Sequence, residues 1–288
     1  MKYSALRDQQ VRRIILIEGS ANLVVLTAKV IIALSTGSMA ILADAVHSLT
    51  DLTNNIIAWI VMRFSSKPAD HEHPYGHRKF ETLAVFILAS LLLVLAFELV
   101  INTIRKEEAE VVSTGIELAV MLCVLAINIL VTIWQHNWAR RLDSDILRAD
   151  ATHTFADVLI TGTVIGGWQL SARGYGWADR ACAIAIALFV IYLAYSLFRR
   201  VIPVLLDQYA IEPGELRELI ESVPGVKNVY KIRSRWIGKS CAIDLTISVD
   251  PELSTRDSHA IADNIESIIE KNFKTSDITI HVEPDSTS

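Results

Sequence analysis

Residues 41–51 read ILADAVHSLTD, and they lie near the start of an apolar run that extends from about residue 38 to residue 64. Such a run is long enough to cross a bilayer, because about 20 helical residues span roughly 30 Å of hydrocarbon. Yet Asp44, His47 and Asp51 fall within two helical turns of one another. A carboxylate at the centre of a membrane helix is unfavourable by about 2.5 to 3.5 kcal/mol on insertion scales. Ionisable groups in this segment therefore need partners, and the rest of the sequence must supply them.

The surrounding chain is itself apolar. Of its 288 residues 52% are hydrophobic, the mean hydropathy is +0.38 and the net charge is −5, a composition too apolar for an ordinary soluble protein of this length. Six spans are expected, near 14–36, 38–64, 80–104, 114–138, 146–171 and 178–202. After Arg199 and Arg200 the sequence turns polar and acidic. Two domains follow: a six-helix transmembrane domain over 1–208 and a soluble α/β domain over 209–288.

Basic residues flank the N-terminus (Lys2, Arg7, Arg12, Arg13), the second-to-third connection (Arg63, Lys67, Arg78, Lys79), the fourth-to-fifth (Arg140, Arg141, Arg148) and the end of span six. The positive-inside rule puts both termini and the soluble domain in the cytoplasm; the cell (inner) membrane is the expected location, though the rule itself does not select it. No nucleic-acid partner is expected. Glu18 and Lys29 interrupt the first apolar stretch and no small-residue cleavage site follows, so that stretch is expected to remain as a span. The three cysteines, Cys123, Cys182 and Cys241, are scattered and read as buried small residues, not as a disulfide or thiolate site.

A second stretch repeats the spacing of the first. LRADATHTFADV (147–158) sets His153 and Asp157 four residues apart, with Asp150 one turn earlier. Residues i and i+4 share a helix face, so each pair is a half-site. At 1.5 Å per residue, His47 and Asp51 lie roughly 14 and 20 Å from the span entry near Ser38, and His153 and Asp157 roughly 12 and 18 Å from the opposite entry near Asp145. Both pairs reach mid-membrane on antiparallel helices. Two imidazoles and two carboxylates can complete a tetrahedron around Zn²⁺. Hydrogen-bonded cross-links between helices are the other reading; they suit one such pair better than two matched in spacing and depth.

ILADAVHSLTD, SSKPADHEHPYGHRKFE (65–81), LRADATHTFADV and LLD (205–207) together resemble, in order and spacing along essentially the whole chain, the cation diffusion facilitators. These are secondary transporters that export divalent metals in exchange for protons. The resemblance implies a six-helix membrane domain, a cytoplasmic domain with a metallochaperone-like (ferredoxin-like) α/β fold, and a homodimer. It implies that His47, Asp51, His153 and Asp157 form the transport site. A histidine at the first position is similar to members that carry chiefly zinc, often with cadmium or cobalt, whereas iron and manganese members more often lack it. Imidazole suits zinc and oxygen-rich sites suit manganese. Zn²⁺ is the expected substrate, with Cd²⁺, Co²⁺, Fe²⁺ and Mn²⁺ as further candidates.

The loop DHEHPYGH (70–77) is held out of a helix by Pro68 and Pro74. By resemblance Asp70, His73 and His77 match a second metal site of the family; from the residues alone, the loop reads equally as a solvated histidine-rich turn that concentrates cations. His71 and Glu72 receive no role, and the peptidase motif H-E-x-x-H is absent. The tail reads as helix 213–222, strand 226–234, strand 241–249, helix 255–272 and strand 276–283. Alternation turns Ile243, Leu245, Ile247 and Val249 inward and leaves Asp244, Thr246 and Ser248 outside. Ile278, Ile280 and Val282 face in, which leaves His281 and Glu283 out, and His259 opens the second helix.

Asp244, His259, His281 and Glu283 resemble the family's cytoplasmic metal positions, with Tyr230 and Asp244 where some members have histidines. One weak, partly exposed site near the dimer interface is expected; side chains at a dimer contact are the alternative. Lys79 and Asp207 match a charged pair that links the two domains in family members, or are ordinary surface charges. His136, beside Trp134 and Trp138, reads as interfacial.

Metal binding needs neutral imidazoles and ionised carboxylates, so proton uptake ejects the cation. That is antiport chemistry, with alternating access supplied by rocking helices. A membrane metalloenzyme would need an open coordination position and a general base, which four protein ligands do not offer; no enzyme is expected. A metal sensor would bind without flux, and the intramembrane carboxylates argue against it.

Overall fold

A computed structural model describes residues 2–36, 39–105, 115–172, 176–273 and 275–285. The chain divides into two compact units, Met1–Arg199 and Arg200–Ser288. Six long helices come first: α1 (Lys2–Thr36), α2 (Met39–Ser65), α3 (Lys79–Arg105), α4 (Gly115–Arg141), α5 (Asp145–Ala172) and α6 (Gly176–Leu205). In the first unit α1 packs on α2, α4 on α5, and α3 against both α2 and α5.

These helices are inverted relative to those of a soluble protein. Leu16, Val24, Leu49, Val94, Leu130 and Leu188 are exposed, while Glu18, Lys29, Asn55, Gln135, Asp150 and Asp157 are buried. Bilayer as solvent explains the inversion, since apolar side chains face lipid without penalty and polar groups must satisfy one another inside. Many buried apolar positions are alanines (Ala58, Ala84, Ala89, Ala96, Ala149, Ala156). Small residues let helix backbones approach where lipid offers no hydrophobic drive to association.

Six spans were expected, but by length and composition only four helices among the described residues qualify: Leu6–Ile31 of α1, Lys79–Arg105, Leu122–Arg141 of α4 and Arg180–Leu205 of α6. α2 and α5 fall short because they carry the ionisable stretches themselves. Cys123 and Cys182 are exposed, contrary to expectation, and Cys241 alone is buried. The first two lie on apolar outer faces, where a small thiol is as acceptable to lipid as to a core.

One end of the bundle is fixed by charge. The Ser144 amide donates to Ala139 O at 3.1 Å around Asp143, which has φ 44°, a left-handed stop that ends α4. Arg7 of α1 donates to the freed carbonyls, Nε to Leu142 O at 2.8 Å and Nη2 to Asp143 O at 3.0 Å. Asp8, 1% exposed, pairs with Arg78 at 2.7 Å. Arg7 also reaches Glu81 at 3.5 Å, so the network joins α1, α3 and the α4–α5 turn.

The second unit builds a small mixed sheet. α7 (Pro213–Glu221), β1 (Asn228–Ile237), β2 (Ser240–Val249), α8 (Thr255–Asn272) and β3 (Thr275–Pro284) follow in order. The sheet order is β1-β2-β3, with β1 antiparallel and β3 parallel to β2. Ser254 caps α8 by accepting from the Asp257 amide at 3.2 Å. Ile243, Leu245, Ile247 and Val249 meet Leu216 and Ile220 of α7 and Ile265 and Ile269 of α8 in one core.

The other face of β2 departs from the sequence reading. Thr246 and Ser248 are buried, 5% and 1% exposed, because β2 is the central strand and both neighbours lean across it. Asn228 of β1 donates to Ser248 Oγ, and Tyr230 donates to Glu283 Oε2 of β3 at 3.0 Å. A one-residue bulge between Tyr230 and Arg233 puts Lys231 at φ 53°.

Gly225, between α7 and β1, has φ +95°, and a Cβ there would lie 2.6 Å from Ile261 Cδ1. Gly225→Ala should destabilise this unit by about 1 to 3 kcal/mol. Peptide-resolved hydrogen exchange on the full chain should show β1 and β2 amides exchanging on the order of tenfold faster or more, with the helices of the first unit unchanged.

Candidate metal centre

α2 and α5 bring Asp51, His153 and Asp157 together. His153 Nε2 lies 3.5 Å from Asp51 Oδ1 and 3.8 Å from Asp157 Oδ2, and one ligand atom from each residue lies within 4.8 Å of the others. Asp51 Oδ1 and both His153 nitrogens are buried with no hydrogen-bond partner among the described residues. Ligand bonds of about 2.0 to 2.2 Å give a tetrahedron edges of roughly 3.3 to 3.6 Å. The trio is thus spaced as ligands around one small ion, slightly too far apart for hydrogen bonds. His47 stands one turn before Asp51 on α2, but its side chain and that of Asp44 lie outside the described residues.

The loop between α2 and α3 gathers a second trio, Asp70, His73 and His77, again with donor atoms within 4.8 Å. Asp70 Oδ1 accepts from the amides of Glu72 and His73 at 3.1 and 2.8 Å. The His73 amide bond holds the Asp70 carboxyl below its ordinary value, so the charge a cation needs persists into mild acid. Gly76, at φ 82°, supplies the turn that sends His77 back.

His77 Nδ1 sits 3.0 Å from Pro68 O. A carbonyl only accepts, so Nδ1 carries the proton and Nε2 of the neutral ring presents its lone pair. That lone pair faces Asp70 Oδ2 at 3.2 Å. Two acceptors at that distance call for a cation, a metal or a second proton, between them. His71 and Glu72 are exposed and outside the trio.

The proposed tail ligands are not gathered in the single chain. Asp244 pairs with Arg233 at 3.7 Å, His259 with Asp263 at 3.2 Å, and His281 with Glu283 at 3.3 Å. No group of three such donors forms there among the described residues. His136 is exposed.

Sequence reasoning passed over the remaining buried polar groups of the bundle. Lys29 Nζ donates to Ser48 Oγ at 2.7 Å, and Gln135 Nε2 donates to Asp150 Oδ2 at 3.1 Å. The signal was present: Glu18, Lys29 and Gln135 are polar residues inside apolar runs, and such residues are functional candidates by default.

Residues 15–206 match a family described as the cation efflux transmembrane domain, and residues 210–285 match the cation efflux protein, cytoplasmic domain. A cation-efflux pump FieF of Salmonella typhi is 31% identical over 257 residues, covering 86% of this chain and 84% of that protein. The FieF proteins of Salmonella paratyphi A and Salmonella agona are each 30% identical over 254 residues, with the same coverage. A solved structure of MamM-CTD 215-293 is 27% identical over 25% of this chain and 92% of that chain, with a TM-score of 0.24.

The loop trio generates its own expectation. Asp70→Ala leaves two histidines with no carboxylate between them, so zinc affinity at the loop should fall on the order of 100-fold. Equilibrium dialysis of the purified full chain at low free zinc should then find one equivalent fewer per chain than in the unmodified protein. Equal occupancy would remove Asp70 from the ligand set.

Proposed function

Because the chain belongs to the cation efflux, or cation diffusion facilitator, family of membrane metal transporters, we propose that it exports Zn²⁺ from the cytoplasm in exchange for protons. The proposed transport site is His47, Asp51, His153 and Asp157. The observation that carries this reading is the convergence of the half-buried Asp51 and His153 with the buried Asp157 inside a bundle whose outer face is apolar. Charged donors in that setting are stable when a cation joins them, and a proton on His153 or on a carboxylate removes a ligand. Metal and proton thus compete for the same atoms, which is the requirement for antiport.

The membrane part of this reading runs to residue 208, with six crossings, and the cytoplasmic part begins at 209. Both termini face the cytoplasm of a cell (inner) membrane, and the working unit is a homodimer. Asp70, His73 and His77 form a loop site on the cytoplasmic side. Asp244, His259, His281 and Glu283 contribute to weaker cytoplasmic binding, and Lys79 and Asp207 act as an interdomain charge pair. Cd²⁺ and Co²⁺ are accepted alongside zinc.

A second reading makes Fe²⁺ or Mn²⁺ the main substrate. It is favoured by the described donors, two carboxylates to one imidazole, an oxygen-rich set that suits harder ions. A sensor without transport would bind the same metals but move none.

Two measurements in sealed vesicles test these readings. With a zinc indicator inside and an imposed pH gradient, Asp51→Ala and Asp157→Ala should each abolish zinc flux while the folded protein remains; flux near that of the unmodified chain would sink the shared site. His47→Asp replaces a nitrogen ligand with oxygen and removes one proton-exchanging imidazole. Competitive uptake of zinc, cadmium, manganese and ferrous iron across pH should shift toward manganese and iron. Unchanged preference and pH profile would remove His47 from the site.

A further inference from the structure

One buried cluster in the bundle is used by neither trio. Glu18 lies in the middle of the apolar segment Leu6–Ile31 of α1 and is 2% exposed. Its carboxyl lies beside that of Asp150 on α5, which is 5% exposed. Ionised carboxylates only accept, so two of them side by side out of water require a cation or a shared proton between them.

An independent observation points to the same place. Gln135 of α4 is fully buried, and its Nε2 donates to Asp150 Oδ2 at 3.1 Å. That bond fixes the amide orientation, because an amide oxygen facing the carboxylate would leave two acceptors opposed. Gln135 Oε1 is then left without a hydrogen-bond partner, and so is Glu18 Oε2. A buried acceptor with no donor is unfavourable by about 1 to 3 kcal/mol. Three helices therefore converge carboxylate and amide oxygens whose unmet need is positive charge.

We propose that Glu18, Gln135 and Asp150 form a second intramembrane cation site, built from oxygen donors alone and suited to a hard divalent ion. Carboxylate and carbonyl oxygens suit manganese-like ions, whereas zinc is more often held by nitrogen and sulfur partners. Asp150 precedes His153 by three residues on α5, a rise of about 4.5 Å, so the site adjoins the first trio on the side of the α4–α5 turn. On the transport reading, a cation entering from the cytoplasm occupies it before reaching His153, and two neighbouring sites let an arriving ion repel the one ahead. The existence of the site does not rest on that reading; its place on the path does.

Mn²⁺ binding counted by electron paramagnetic resonance tests the site in the purified full chain. Glu18→Gln removes one charge, keeps the shape, and gives Asp150 an amide donor, so the fold is retained; gel filtration and zinc binding at the loop check this. The comparison is between Asp157→Ala and the double variant Glu18→Gln/Asp157→Ala. The double variant should bind one Mn²⁺ fewer per chain, and Glu18→Asp should restore part of that binding. Equal Mn²⁺ binding by the two variants would mean that the carboxyl pair holds a proton only, and would overturn the proposal. If Asp157→Ala loses no metal relative to the unmodified chain while the double variant still loses one, the transport-site assignment fails and this site stands.

Discussion

A charge inside hydrocarbon has no water to solvate it, and this constraint organises the membrane unit. Glu18, Lys29, Asp150 and Asp157 are all buried among helices and none faces the apolar exterior. Satisfying them requires convergence from several helices, as when Lys29 of α1 meets Ser48 of α2 or Gln135 of α4 meets Asp150 of α5. Convergence in turn demands close backbones, and the alanines at buried positions on α3 and α5 permit it. Polarity, small residues and an apolar exterior are thus three consequences of one requirement.

The same requirement reaches the end of the bundle that holds the loop trio. His77 and Arg78 are consecutive; His77 faces Asp70 while Arg78 bonds the buried Asp8 of α1 at 2.7 Å. Two adjacent residues therefore bind the loop both to its own carboxylate and to the first helix. Arg7, next to Asp8, holds two carbonyls of the α4–α5 turn. Any rearrangement of the loop around a cation strains contacts that run to α1, α3 and the α4–α5 turn. The loop trio and the bundle are mechanically joined without sharing a ligand.

Much of this was legible in the sequence where a single period or motif carried the information. The tail elements fall within two residues of the predicted bounds at most of their ends, because period-two alternation in β2 and the Ser254 cap of α8 are local signals. That residues 70–77 form a loop was legible because Pro68 and Pro74 interrupt the helix, whereas the grouping of Asp70, His73 and His77 within it came from the family resemblance. What was not legible depended on neighbours. Thr246 and Ser248 alternate as outer residues, yet the strands on either side bury them. Hydropathy alone discounts α2 and α5 for the residues that give them their interest. Glu18 read as an interruption of an apolar run, since its partners are more than 100 residues away in α4 and α5.

Spacing by itself does not make a metal site, and this chain contains its own control. His259 and Asp263 repeat the H-x-x-x-D spacing of His153 and Asp157, and their atoms are closer, 3.2 Å against 3.8 Å. Yet the side chains on α8 are 76% and 67% exposed, those on α5 only 12% and 10%. In water such a pair is worth little, because solvent screens the charge and already satisfies both groups. In the bundle the same two residues lack water, face Asp51 from a second helix, and leave both imidazole nitrogens without a hydrogen bond. The difference between a surface pair and a candidate ligand set is therefore set by burial and by the arrival of a third donor, neither of which is encoded in the four-residue spacing.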